Sequence, residues 1–336
     1  MPEPAEPFID AFGRTVTYLR LSVTDRCDLR CTYCMPEHMS FARHRDRLGV
    51  GDLHAIARAF IAGGVRKIRL TGGEPLVRKD LPDLLERLSG HLASGELGEL
   101  TVSTNGSQLA RLAGTLAGYG VKRVNVSIDT LDPDQYREIT RGGALADVLA
   151  GVDAALTAGL QVRINTVALR GVLESQIDPL LRYAHGRGMA LALIETMPLG
   201  DTGVSRLGQY LSLTGFRQEL AQRWTLTPST KGTGGPASYV EVGETGGLLG
   251  FITPLSCNFC ASCNRVRVGS DGRLFTCLGH DGSVDLRPVL AAEDQGVALD
   301  AAIRDALRQK PERHSFRVSD TSLSGGIGRH MSVLGG

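Results

Sequence analysis

The chain has 336 residues, enough for one large domain with a smaller companion or for two of ordinary size. Its charge balances to +1 at pH 7, which argues against a nucleic-acid or anionic-membrane surface and leaves room only for a local basic pocket. Apolar stretches are broken by Asp or Arg well short of the about 18 residues of a membrane span. The acidic, proline-rich start "MPEPAEPFID" lacks the apolar core of a signal peptide, so the cytoplasm is the expected compartment.

From Thr17 to Met197 a strand–helix alternation repeats. Strands are predicted at 17–23, 67–71, 99–105, 123–129, 161–167 and 190–197. Helices are predicted at 52–62, 80–93, 107–118, 145–158 and 175–187. The strands are short, β-branched and nearly continuous in apolar character, as strands covered on both faces should be. Six such units with right-handed crossovers predict an α/β fold, a partial (β/α)6 TIM-like barrel. After Gly200 the alternation dissolves into short strands (239–242 and 248–252), a helix at about 299–309 and a polar tail ending in Gly-Gly. We therefore divide the chain into a barrel, 1–200, and a metal-organised extension, 201–336, that covers the barrel mouth.

Six of the seven cysteines fall in two clusters, which in a reducing compartment points to metal rather than disulfides. Cys27, Cys31 and Cys34 follow the first strand immediately. Three thiolates are one short of a usual structural zinc site. They also suit a cubane of four irons and four sulfides that keeps one iron free of protein. "CDLRCTYC", with Tyr33 before its last cysteine, and "TGGEP" at 71–75 together resemble the signature of the radical S-adenosylmethionine (SAM) enzymes. The resemblance implies a 4Fe–4S cluster on the three cysteines, whose free iron chelates SAM and whose electron cleaves it to a 5′-deoxyadenosyl radical. It further implies that Gly72 and Gly73 let backbone approach the SAM methionine group, supported by Glu74. Tyr33, Thr104, Ser127, Asn165 and Met197 would complete that pocket.

The second cluster is Cys257, Cys260 and Cys263, to which Cys277, fourteen residues past Cys263, adds a fourth thiol. Spacing alone leaves three readings open: a closed zinc site, a fully ligated iron–sulfur cluster, or three ligands with an open iron. Arg265 and Arg267 alternate on a strand and share one face. Arg20, Lys67, Arg69 and Arg163 occupy other strands, and together these cations suit a polyanion such as a triphosphate. Over nearly its whole length, from "FGRTVTYLRLSVTDRC" to "MSVLGG", the chain resembles the GTP 3′,8-cyclases of molybdenum-cofactor biosynthesis, the MoaA family.

That resemblance implies a second 4Fe–4S cluster on Cys260, Cys263 and Cys277, with its open iron on the guanine of GTP. It assigns the triphosphate to Arg20, Lys67, Arg69, Arg163, Arg265 and Arg267. The radical would take hydrogen from C3′ of the ribose, and the C3′–C8 bond would follow. Gly335 and Gly336 would thread a narrow opening toward the active site, where a side chain would clash. Two departures stand out: Cys257 is an extra thiol that could reach the open iron, and Arg163 replaces a common lysine. Expected partners are GTP, an unnamed electron donor, the pathway neighbour cyclic pyranopterin monophosphate synthase and, as an option, a second copy of the chain. The rival readings are a peptide-modifying radical SAM enzyme with a closed second cluster and a non-catalytic metal-binding regulator.

Overall fold

The computed structural model describes residues 6–232, 234–319, 323–324 and 326–335. Six parallel strands form its centre: β1 (Tyr18–Ser22), β2 (Lys67–Thr71), β3 (Glu99–Thr104), β4 (Arg123–Ser127), β5 (Gln161–Ala168) and β6 (Ala190–Glu195). Between them run α1 (Val50–Ala62), α2 (Leu81–Ala93), α3 (Leu109–Gly118), α4 (Pro133–Thr140), α5 (Leu145–Thr157) and α6 (Leu173–His185). Each strand sends one set of side chains outward to the helices. Leu19, Leu21, Ile68, Leu70, Val124, Val126 and Ile164 are all fully buried there against helix residues such as Leu53, Leu84 and Val152. Each such side chain contributes about 1.5–3 kcal/mol through burial. The opposite, inward set is polar, so the sheet is a scaffold whose concave face must hold something other than a hydrocarbon core.

The extension joins the same sheet. Its strands are β7 (Leu226–Ser229), β8 (Ser238–Val242), β9 (Gly247–Ile252), β10 (Arg265–Val268), β11 (Arg273–Phe275) and β12 (Val284–Asp285). The twelve strands run β12-β11-β10-β1-β2-β3-β4-β5-β6-β9-β8-β7. β10 pairs parallel to β1 and β9 parallel to β6, so two further parallel strands flank the six-unit barrel without bringing a βα unit each.

Several short helices were not anticipated, among them two of eight residues, one in the barrel and one in the extension. Asp132 caps α4 by accepting from the amides of Asp134 and Gln135, with Pro133 at its first position. Leu213–Leu220 forms a two-turn helix on the extension. The helix anticipated at 299–309 starts earlier, at Gln295, where Asp294 caps it, and ends at Arg308. Among the described residues no helix is long and apolar enough to cross a membrane.

The C-terminal tail is held over the barrel mouth by its own small apolar cluster, Leu199, Phe275, Phe316, Ile327 and Leu334. Gly200 is required at this crossing. It sits at φ +59°, and a Cβ there would stand 2.2 Å from the His330 ring. Its amide donates to Ile327 O at 2.7 Å, which fixes the tail's path across the mouth.

Candidate active site

One cavity collects residues from the C-terminal ends of β1 to β6 together with the β9–β11 region. Cys27, Cys31, Cys34, Cys260, Cys263 and Cys277 all line it, whereas Cys257 does not. Cys257 is exposed and borders a separate depression beside Arg217 and Phe251, so this extra thiol stands apart from the triplet, as its place outside Cys260, Cys263 and Cys277 implied. Among the described residues no three Cys, His, Asp or Glu side chains gather tightly enough for a single ion. A cubane draws each thiolate to a different iron, so donors spread around a cavity wall fit it better than they fit zinc.

The two triplets differ in electrostatic surroundings, although burial raises the Cys277 thiol of the second as it raises those of the first. Asp28 Oδ1 is 3.9 Å from Cys27 Sγ, and Asn105 Nδ2 donates to Asp28 at 2.7 Å. Burial, then Glu74 and Asp28, push the Cys27 thiol up to about 12. Burial holds Cys34 up at about 11 despite the charge of Arg206 and the Ser332 amide. At the second triplet burial also opposes ionisation, yet Lys310 and Arg265 outweigh it and lower the Cys263 thiol. His314 does the same for Cys260.

"TGGEP" organises this mouth through backbone contact. A Cβ on Gly72 would meet Thr24 O at 2.3 Å, and one on Gly73 would meet Arg26 O at 2.4 Å and Asp25 O at 2.5 Å. These glycines therefore let the motif press against the segment leading into Cys27, in addition to lining the cavity. Glu74 does not line it. Its carboxylate accepts from Leu76 N (2.9 Å), Thr104 Oγ1 (2.8 Å) and Asn105 N (2.6 Å), which ties the ends of β2 and β3 together. Burial pushes that carboxyl up to about 7 although the three donors oppose it. Tyr33 donates to Asp129 Oδ2 at 2.7 Å, and Asp129 in turn accepts from Val167 N, so the cysteine loop is latched to β4 and β5. Tyr33, Thr104, Ser127, Asn165 and Met197 all line the cavity.

The cations form layers set by strand register. Arg20 pairs with Arg69 on one side and with Arg267 on the other, which puts three guanidiniums in one row across β2, β1 and β10. The layer beneath is Lys67, Tyr18 and Arg265. Burial, with repulsion from neighbouring arginines, pushes Arg20 and Arg69 down to about 9 and Arg267 to about 10, so all remain charged at neutral pH. The row concentrates positive charge on one wall of the cavity, a surface that suits a polyanion.

Arg163 joins from β5, donating to Asn165 Oδ1 at 3.1 Å and to the Tyr239 hydroxyl at 2.9 Å. Arg20, Arg69, Arg163, Arg265 and Arg267 line the cavity. Lys67 is the exception. It does not line the cavity, its ammonium is 2.7 Å from Glu99, and Glu99 also pairs with Arg123. The cause is cross-strand register, which sets Lys67 directly opposite Glu99.

The tail reaches this row. Arg267 Nη1 donates to Gly335 O at 2.7 Å, and Gly335, at φ +71°, is packed so that a Cβ would stand 2.0 Å from Thr71 Oγ1. Ser332 and Met331 line the cavity as well. Gly336 lies outside the described residues.

Residues 21–184 match the model of the Radical SAM superfamily, and residues 189–316 match that of Molybdenum Cofactor Synthesis C. The chain is 56% identical over 330 residues to a GTP 3′,8-cyclase of Rhodopseudomonas palustris, covering 98% of this chain and 96% of that protein. The chain belongs to the GTP 3′,8-cyclase family. A GTP 3′,8-cyclase of Brucella melitensis is 54% identical across 99% of this chain and 97% of its own length. The fold of this family member also matches Streptococcus suis SuiB bound to S-adenosylmethionine, at a TM-score of 0.62 and 17% identity, over 88% of this chain and 68% of that one. It matches anSMEcpe with bound AdoMet at 0.53 and 15% identity, over 77% and 74%. Both likenesses are of fold.

Sequence reasoning did not single out Tyr18, Asp129, Arg206, Tyr239, Lys310 or His314. Arg206 donates to Tyr33 O and, at 2.5 Å, to Leu199 O, tying the first cysteine loop to the segment after β6. His314 Nε2 donates to Pro254 O at 2.7 Å, with its ring against Phe316. Tyr18 alone carried a signal, being two residues before Arg20 and hence on the same inward face.

Proposed function

We propose that the protein is a radical SAM GTP 3′,8-cyclase that converts GTP to 3′,8-cyclo-7,8-dihydro-GTP in molybdenum-cofactor biosynthesis. The observation that carries this reading is the guanidinium row Arg69–Arg20–Arg267, which shares one cavity with two separate cysteine triplets. On this reading Cys27, Cys31 and Cys34 hold one 4Fe–4S cluster and Cys260, Cys263 and Cys277 a second. When bound, the first with SAM supplies radical chemistry and the second supplies an open iron for the guanine base.

The chain's own residues then have separable tasks. Arg20, Arg69, Arg163, Arg265 and Arg267 bind the triphosphate through charge-assisted forks. Lys67 acts from the layer below through its contact with the Tyr18 ring, 5.2 Å away, on which Arg69 also rests at 5.5 Å. Tyr33, Gly72, Gly73, Thr104, Ser127, Asn165 and Met197 line the SAM side, and Glu74 fixes the loops from behind. Holding GTP at both ends orients C3′ toward the radical source, the kind of positioning that contributes most to such a step. Gly335 closes the mouth and limits water.

Every cavity residue named belongs to one chain. Operation in the cytoplasm, an electron donor, and consumption of the product by cyclic pyranopterin monophosphate synthase belong to the same reading.

The test is anaerobic turnover of the reconstituted protein with SAM, reductant and GTP deuterated at C3′. Deuterium is expected in 5′-deoxyadenosine by mass spectrometry. Unlabelled 5′-deoxyadenosine would leave a radical SAM enzyme acting on another substrate and would overturn the proposal.

A further inference from the structure

The second cysteine triplet has a cation that its spacing does not announce. Lys310 follows the helix Gln295–Arg308 and is only 3% exposed. Its ammonium reaches Thr276 O at 2.8 Å, Arg265 O at 3.1 Å and Cys263 Sγ at 3.6 Å. An ammonium has three donors and no acceptor, and all three end at this triplet: one on a cysteine, two on carbonyls next to or near Cys277 and Cys263.

A buried ammonium persists only with an opposite charge beside it. The two carbonyls offer dipoles, so the charge must come from Cys263 and whatever that cysteine holds. The segment carrying Lys310 is itself clamped, because Arg14 donates to Pro311 O (2.8 Å), Glu312 O (2.7 Å) and Cys260 O (2.8 Å). Lysine and triplet are thus fastened to one another from two sides. At the first triplet the Asp28 carboxylate oxygen stands 3.9 Å from Cys27 Sγ, and the cation there, Arg206, acts on Cys34 instead.

We propose that Lys310 is a charge-compensating residue of the second cluster, one that stabilises its reduced form and makes it the more easily reduced of the two. The inference rests on the reading that each triplet holds a 4Fe–4S cluster. Reduction brings one electron from an external donor onto the cluster and raises its negative charge by one. In a buried site that added charge is stabilised by an ammonium against the thiolate and opposed by a carboxylate in the same position. Lys310 therefore favours reduction at Cys263, as Asp28 opposes it at Cys27. Electrons delivered to the protein settle first at the substrate end of the cavity.

The experiment is a dithionite titration of the reconstituted holoprotein, followed by electron paramagnetic resonance. The two signals are assigned in proteins lacking one or the other triplet. The unsubstituted protein is expected to reduce its second cluster at the higher potential. Lys310→Met should lower the reduced-to-oxidised ratio of that cluster at least tenfold at fixed potential, about 59 mV for one electron, and leave the first cluster unmoved. Lys310→Arg should recover most of the loss.

An unchanged second midpoint in Lys310→Met, or an equal shift of both clusters, overturns the assignment. Should Lys310→Met lose its second cluster, retention in Lys310→Arg supports the role of charge. Loss in both makes Lys310 a structural peg and overturns it. Near four irons per chain in the unsubstituted protein would instead remove the two-cluster reading, a failure distinct from an unmoved potential.

Discussion

Replacing Gly335 by alanine tests whether the seated tail is part of the working site. Gly335 is at φ +71° and its missing Cβ would fall 2.0 Å from Thr71 Oγ1, 3.1 Å from Thr71 Cβ and 3.4 Å from Ser22 Cβ. The left-handed backbone costs a residue with a Cβ about 1–2 kcal/mol. Overpacking of a closed site adds about 1–3 kcal/mol. Thr71 is on β2 and cannot retreat without breaking its pairing with β1, so the relief available is for the tail to leave. A total of about 2–5 kcal/mol lowers the seated population roughly 30- to 5,000-fold. Leaving also releases the Arg267 contacts to Gly335 O and Leu334 O.

The expected result is a more than tenfold loss of cyclised product in anaerobic turnover, with both clusters' iron and the thermal midpoint retained. Thr71→Ala in the same chain removes the closest contact and should recover part of the loss, while the backbone cost stays, giving a measurable coupling. Turnover of Gly335→Ala within twofold of the parent would refute the reasoning, because no seated tail could accommodate that carbon unaltered.

Three further outcomes follow from the geometry. Arg20→Met removes the middle guanidinium of the row, so GTP use should fall more than tenfold in anaerobic turnover while SAM binding persists; unchanged GTP use would exclude the row from substrate binding. Gly73→Ala pushes a Cβ into Arg26 O and Asp25 O, both backbone, and should cost about 1–3 kcal/mol and release the first cluster's irons selectively, as metal analysis with the second cluster's signal retained would show. His185 is kept neutral chiefly by burial, its Nδ1 2.6 Å from Thr245 Oγ1 and its Nε2 3.1 Å from Leu248 O. Its folded pKa lies below 6.5, so the unfolded chain binds more protons and stability is lost as pH falls below about 6.5. His185→Gln should flatten that acid limb in denaturant titrations, and an unchanged slope would exclude His185 as its source.

The alternation of strands and helices was legible because each strand's outward face must be apolar and each helix must cover it, a constraint that acts locally. Boundaries drifted by one or two residues in the barrel and by four at the start of Gln295–Arg308, where the Asp294 cap decides it. The α4 helix escaped notice although Asp132-Pro133 is a cap signal, since it is short and mostly polar, with only Tyr136, Ile139 and Thr140 of its residues buried. What the sequence could not convey is which distant strands become neighbours. "NRVRV" reads as a strand with two arginines on one face, but its place beside β1, some 247 positions earlier, comes from the closed packing of the whole sheet.

That placement is what turns scattered basic residues into a row, and it corrects Lys67 for the same reason. Alternation gives the face a side chain points to, and only register gives its depth and its partner. Lys67 and Arg69 point inward alike, yet one meets Glu99 and the other meets Thr101 and the cavity. Lys310 shows the limit most clearly: nothing in "RQKPERHSF" marks one cation as buried, and its meaning arises only where the strand ends carrying Cys263 and Cys277 converge on it. A charge is structural or functional according to what it faces: Lys67 faces Glu99, whereas Arg69, Arg20 and Arg267 face the cavity.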